Sequence, residues 1–302
     1  MKRVVSVSLG SSTRDHRAET TLLGVPFQVE RRGVDGQFKA AQALLRELDG
    51  QVDAIGLGGV DIYLRCRDRR YALRDGLRLQ QCVTKTPVVD GSGLKDTLEA
   101  SVVHQLAKNF PLAGAKVLVV SALDRFGLAE ALVQVGAQCT FGDKMFALDL
   151  DQPIYSLDEL QEQADKLLPE LCKLPISMLY PVGPKQMTIE AKPLTSGYMQ
   201  EADWICGDFH LIRRRLPDHL PGKVILTNTV TLDDIEQLRS RGAATLITTT
   251  PEYQGRSFGT NVLEAMLVAL LEKPWQAVDR QDYLRLLRDL QWKPRILTLQ
   301  SE

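Results

Sequence analysis

Lys116–Asp143, KVLVVSALDRFGLAEALVQVGAQCTFGD, reads as strand, tight crossing, helix, short loop and strand. Val117–Val120 is an apolar run of the kind that a parallel strand covered on both faces needs. Leu128, Ala129, Leu132 and Val135 then recur at helical spacing and put an apolar stripe on one face. Gly136 is placed to end that helix. A βαβ unit in mid-chain implies a parallel sheet, and ligands of such sheets bind at the carboxyl ends of the strands. The stretch therefore says where a site belongs before it says what the site holds.

The same logic extends downstream. Ser156–Leu174 reads as a helix with Ser156 at its cap and Glu159 at capping-box spacing, and Met178–Val182 as a strand or extended segment. Trp204–Gly207 is a strand edge with a short helix or turn at Phe209–Arg215. Lys223–Leu226, a helix capped by Thr231 and ended by Gly242, and the strand Thr245–Thr249 repeat the strand–helix–strand order. Helices over Asn261–Leu271 and Arg280–Leu290 close the chain.

Upstream, Val4–Leu9 is a strand, and Ser11, Ser12 or Thr13 caps a helix running through Ala18–Leu23. Phe27–Arg32 alternates as a second strand, Phe38–Leu48 is an amphipathic helix, and Val52–Leu57 is a buried strand. DIYLRCRDRRYAL reads as a hairpin with Asp68 in its turn, followed by a short helix over Gly76–Gln81. Gly93–Phe110 reads as one long helix stopped by Pro111. The fold class is α/β with two domains. Residues 1–112 form a smaller α/β domain on the substrate side and 113–275 a Rossmann-like parallel sheet. Residues 276–302 form a helix and tail that pack back on the body.

Composition bounds the function. Apolar residues make up 44% and charged residues 25%, which fits a folded globular protein. A net charge of -1 gives no electrostatic footprint for nucleic acid. The five cysteines, at 66, 82, 139, 172 and 206, include no CxxC pair and suggest reduced thiols in the cytoplasm. MKRVVSVSLG is too quickly polar for a signal peptide, and no apolar run is long enough to span a membrane. Cysteines and histidines lack zinc spacing, and there is no GxSxG elbow for a nucleophile. No metal is expected, and a homodimer is the base-rate assembly.

Polar loops directly after buried strands are the candidate chemistry. Ser11, Ser12 and Arg14 either hold a carboxylate or phosphate through hydroxyls, amides and charge, or form a solvated cap. Lys85 and Asp90 flank a short strand in TKTPVVDGSG, as a proton-transfer pair or a surface ion pair. SALDRFG stands where a dinucleotide fold carries G-x-G-x-x-G. Of those glycines it has only Gly127, and it places Asp124 near the phosphates with Arg125 to offset it. Ser121, Asp124, Arg125 and Gly127 thus belong to a variant dinucleotide loop, to a site for another anion, or to a structural turn. In a nucleotide-binding domain Asp143, at the end of the second strand, would stand where an acid binds ribose, and Thr227 and Thr229 would lie at a strand end near a bound ring; otherwise Gly142, just before Asp143, only marks a bend. Arg256 sits among glycines that wrap an anion or form a loop tip. His210, beside Asp208, is either a titrating catalytic group or a surface histidine.

With these loops in view, the chain resembles the group labelled quinate or shikimate 5-dehydrogenase-like. The likeness runs through SLGSSTRDHRAE, GLGG, KTPVVDGSG, DRFG, FGD with MFAL, GDFH, TNT and GRSFGTNV. It implies an NAD- or NADP-dependent oxidoreductase acting on a small hydroxy or keto acid. The substrate would bind on the N-terminal domain and the cofactor on a C-terminal Rossmann domain. It further implies that Ser11 or Ser12 holds the substrate carboxylate and that Lys85 and Asp90 share proton transfer. The chain departs from that pattern in its nucleotide loop and in the short Lys85–Asp90 spacing. The alternative is a transferase, lyase or isomerase without a dinucleotide, or a binding protein for a phosphorylated or carboxylated metabolite.

Overall fold

A computed structural model of the chain describes residues 1–179, 188–250, 259–271 and 273–300, with the backbone alone at 252–253 and 256–257. The chain forms two compact α/β units with mostly parallel sheets, a Rossmann-like architecture, and neither unit is a single stretch of sequence. Unit one holds Met1–Thr97, Leu167–Gln186 and Phe258–Trp292, and unit two holds Leu98–Lys166, Met187–Ser257 and Lys293–Glu302.

Unit one begins with β1 (Lys2–Ser8), β2 (His16–Leu22), β3 (Val25–Gly33), α1 (Phe38–Leu48) and β4 (Ala54–Gly58). The hairpin β5 (Tyr63–Cys66) and β6 (Arg69–Ala72), then α2 (Arg74–Gln80), β7 (Val88–Val89) and α3 (Ser92–Lys95) follow. The sheet order is β2-β3-β1-β4-β7, parallel except for β2 on the edge. Val4, Val5 and Val7 of the central β1 are buried, as its apolar run requires.

The helix expected over Ala18–Leu23 is instead β2. Ser11 does cap a turn, its hydroxyl accepting from the Thr13 amide, but that 3-10 turn ends after Ser12–Arg14. Ala18 and Leu22 are buried while Arg17, Glu19 and Thr21 are exposed, a period-two pattern in a segment carrying two β-branched threonines. Leu22 pairs with Val25, and the two turn residues, Leu23 at φ 50 and Gly24 at φ 76, form a hairpin turn of the type that matches strand twist.

Unit two continues with α4 (Leu98–Leu106), β8 (Lys116–Val119), α5 (Phe126–Gln134), β9 (Gln138–Phe141), α6 (Asp143–Leu148) and α7 (Leu157–Leu171). α8 (Ile176–Leu179) belongs to unit one. Unit two resumes with α9 (Pro193–Glu201), β10 (Trp204–Gly207), α10 (Phe209–Arg214), β11 (Val224–Thr227), α11 (Leu232–Ser240) and β12 (Thr245–Thr248). The loop after β12 contains the antiparallel pair β13 (Glu252–Tyr253) and β14 (Arg256–Ser257). α12 (Thr260–Leu270) and α13 (Arg280–Asp289) return to unit one, and β15 (Arg295–Thr298) completes unit two. The sheet order is β15-β12-β11-β10-β8-β9, parallel except for β15.

The expected long helix over Gly93–Phe110 is split into α3 and α4. The Thr97 hydroxyl bonds the Gly93 carbonyl and its amide takes the Leu94 carbonyl, so the ladder tightens and stops there. The extended segment expected over Met178–Val182 is the helix α8 as far as Leu179, and 180–182 lie outside the described residues. In unit one α12 packs on β1 and β4. Gly56 permits this approach, because a Cβ there would lie 2.6 Å from the Asn261 carbonyl oxygen.

Candidate functional site

In each sheet the strand order reverses at one point, and the crevice there is the expected ligand position. In unit one it lies between β1 and β4, and in unit two between β8 and β10.

Lys85 and Asp90 do not meet. They bracket β7, so Lys85 stands at the amino end of a parallel strand and Asp90 at its carboxyl end. The Lys85 side chain is exposed, and its amide, with those of Thr84 and Thr86, donates to the Asp49 carboxylate. Desolvation opposes the Asp49 charge, but these donors and the Thr84 hydroxyl outweigh it and hold that carboxyl below its usual range.

The lysine at the carboxyl end is Lys95, the last residue of α3. Its Nζ donates to Asp61 Oδ1 at 2.7 Å, and the two side chains are only 9% and 15% exposed. Asp61 sits in the loop after β4. Asp90 ties that loop to α3. Its Oδ2 accepts from the amides of Ile62 and Tyr63, and its Oδ1 accepts from the Ser92 amide. A second pair, Arg65 with Asp96 at 3.0 Å, lies on the adjoining hairpin and the end of α3, where burial raises the Asp96 pKa against the pull of Arg65.

The N-terminal serines are engaged within the chain. Ser12 gives both its amide and its hydroxyl to Asp35. Ser11 is buried and bonds Thr13. Arg31 anchors this loop, donating to the Ser11 carbonyl, the Ser8 hydroxyl and Asp15. Arg14 is half-buried, and the side chain of Arg256 lies outside the described residues.

In unit two, SALDRFG is filled by its own arginine. Arg125 is 2% exposed, bonds Glu99 from α4 through Nη1 and Asp208 through Nη2 at 2.9 Å, and forms an ion pair with Asp124, whose carboxylate lies 3.5 Å from Nε without a hydrogen bond. Burial works against the guanidinium charge, but Glu99, Asp124 and Asp208 outweigh it and raise its pKa above the usual arginine value. Arg125 and Asp208 follow β8 and β10, so the pair stands at the reversal point. Asp208 also caps α10, accepting from the His210 amide at 2.8 Å, and takes Asn228 Nδ2 at 3.1 Å. His210 meets Asp208 through its backbone amide. Thr227 donates to the Gly207 carbonyl, Thr229 is half-buried, and Gly127 is buried within α5. The buried Ser121 hydroxyl has no hydrogen-bond partner among the described residues.

Asp143 stands at the end of β9, as expected of a ribose-binding acid, but its carboxylate turns to the loop after β8. It accepts the amides of Ala122 at 3.2 Å and Leu123 at 2.9 Å. Amides of this loop are the donors that hold a pyrophosphate in a dinucleotide fold. Burial pushes the Asp143 pKa up to about 6, against the pull of those amides. A carboxyl raised in the folded state contributes stability at low pH that is lost as pH rises through the folded value. Asp143→Asn is therefore expected to flatten the stability profile between about pH 4 and about pH 6, by up to roughly 3 kcal/mol relative to wild type. Urea unfolding at several pH values measures this, and parallel profiles for both proteins would refute it.

Residues 93–299 match the family described as Domain of unknown function (DUF8754). The chain belongs to that family. Ahead of the DUF8754 region, residues 3–90 match a second family described as Domain of unknown function (DUF8753). No curated protein matches the chain. Among solved structures, this DUF8754 chain is 12% identical to an NAD-dependent malic enzyme from Thermotoga maritima, covering 96% of this chain and 84% of that one, with a TM-score of 0.35. A glutamate dehydrogenase from Thermus thermophilus is 13% identical over 96% of this chain and 74% of that one, TM-score 0.43. A solute binding protein from Burkholderia multivorans is 12% identical over 98% and 99%, TM-score 0.36. Likenesses this distant carry nothing about activity.

The site residues that local sequence did not mark are Asp61, Lys95, Glu99 and Asn228. Lys95 and Glu99 lie in the segment read as one long helix, where charges pass for a solvated face. No helix among the described residues is long and apolar enough to cross a membrane.

Proposed function

We propose that the protein is an enzyme acting on a small hydroxy or keto acid, in which Lys95 and Asp61 move a proton to or from the reacting oxygen. The observation that carries this reading is the 2.7 Å pair itself, mostly buried at the carboxyl end of the unit-one sheet. An ammonium beside a carboxylate can give a proton to a developing alkoxide and pass it on, while the charge pair polarises a carbonyl. Proton exchange alone completes an isomerisation or a dehydration, and the occupied amides of Ala122 and Leu123 favour chemistry without a pyrophosphate on that loop. We read the protein as cytoplasmic and as a homodimer.

A second reading, an NAD- or NADP-linked dehydrogenase on the same acid, is favoured by the buried polar strand ends of unit two, Thr227, Asn228 and Thr249. Titration with NADH and NADPH to about 1 mM separates the two, since binding even that weak stabilises the fold measurably. The expected result is no change in nucleotide fluorescence or in Tm. A rise in Tm with either nucleotide would replace the first reading by the second.

A further inference from the structure

α12 carries one charged residue, Glu264, and it is buried. Its carboxylate accepts from three donors: the Gly91 amide at 2.6 Å, the Gly93 amide at 3.2 Å and the Tyr283 hydroxyl at 2.6 Å. Gly93 leaves the room for this contact, because a Cβ there would lie 2.5 Å from Glu264 Oε1. The two amides bracket the start of α3, and Lys95 is its end. Asp90, immediately before Gly91, holds the loop that carries Asp61. The carboxylate thus grips the turn between the two members of the pair.

We propose that Glu264, braced by Tyr283, is the positioning residue for Lys95, acting through the backbone amides of Gly91 and Gly93. Its functional meaning rests on the reading of Lys95 and Asp61 as the acid–base pair. Three donors match an ionised carboxylate, whereas a protonated carboxyl gives up one acceptor and loosens the turn. Burial and then the charge of Asp90 oppose ionisation and push the Glu264 pKa up to about 7. Tyr283 faces it from α13, its neighbour Asp282 being paired with Lys273 and Arg285, and Lys95, paired with Asp61, ends α3. β4 carries no charge, and Lys2 and Arg3 of β1 pair with Asp53 and Glu30 at the opposite end of that strand. The turn is therefore gripped above neutrality and loosened below it.

Acetylation of the full-length protein with acetic anhydride, read at Lys95 by mass spectrometry, tests this. Dividing by the exposed Lys85 of the same chain removes the intrinsic pH dependence of amine labelling. The wild-type ratio is expected to be low at about pH 8 and to rise through a step near pH 7 as pH falls. Glu264→Gln should raise the ratio about tenfold at the higher pH, the scale of one charged hydrogen bond, and abolish the step. Tyr283→Phe removes a donor to the ionised form and should move the step to higher pH, which decides the matter if the Gln variant does not fold. A folded Glu264→Gln protein with the wild-type ratio and step, or an unmoved step in Tyr283→Phe, overturns the proposal. The ratio reports position and not turnover, so a Lys95 variant of full activity would sink the catalytic reading while leaving this result standing.

Discussion

Arg125→Met is expected to cost unit two about 4 kcal/mol, a large share of the 5–15 kcal/mol that holds a typical domain together. Methionine fills most of the space, so the loss is one of charge and not of packing. Glu99, Asp124 and Asp208 converge on the guanidinium, and the Glu99 side chain is 1% exposed. Removing one partner of a buried ion pair costs more than the pair contributes, because the remaining charge is left in a medium that cannot solvate it. Glu99→Gln added to Arg125→Met should recover part of the loss, since it removes the most deeply buried of the three carboxylates. Urea unfolding followed by circular dichroism measures both variants. A double variant no more stable than Arg125→Met would mean that Arg125 does not balance Glu99. Such a cluster also sets the character of the reversal point in unit two, because an entering pyrophosphate would meet three carboxylates around an arginine already engaged.

Much of the architecture was legible because it is written locally. The helix over Phe38–Leu48 has the bounds its periodicity predicts, Arg67 and Asp68 make the expected turn, and Thr231 caps α11 by a box with Asp234. The misreading of β2 as a helix is also local: SSTRD carries a genuine cap, but the turn it caps propagates no further than Arg14. The site was less legible, because its contacts join residues far apart in sequence. Glu264 meets Gly91 across 173 positions, and nothing in a stretch rich in alanine and leucine marks one glutamate as a partner of a distant glycine turn. Asp143 was found by position, yet its role depends on which way the carboxylate turns. The loss of glycines in SALDRFG was informative in the sequence itself, since the side chain that replaces them, Arg125, occupies the loop.

Lys95→Arg and Lys95→Met are expected to separate the structural from the chemical role of the pair. Lys95→Met leaves Asp61 mostly buried without its cation and should lower the stability of unit one by about 3 kcal/mol. Lys95→Arg keeps the charge and the hydrogen bond, so most of that stability should return. A guanidinium does not give up its proton in the accessible pH range, so the arginine variant cannot exchange a proton with substrate. Turnover, once a substrate is found among small hydroxy and keto acids, should fall by a factor of about 10² to 10⁴ in both variants. Restored stability without restored activity is the signature of proton transfer, because a lysine that only holds Asp61 in place would be rescued by arginine in both measurements. Lys85→Met supplies the contrast. Its side chain is exposed at the amino end of β7, so neither stability nor turnover should change. Activity lost with Lys85→Met and kept with Lys95→Arg would return the chemistry to the opposite end of the sheet.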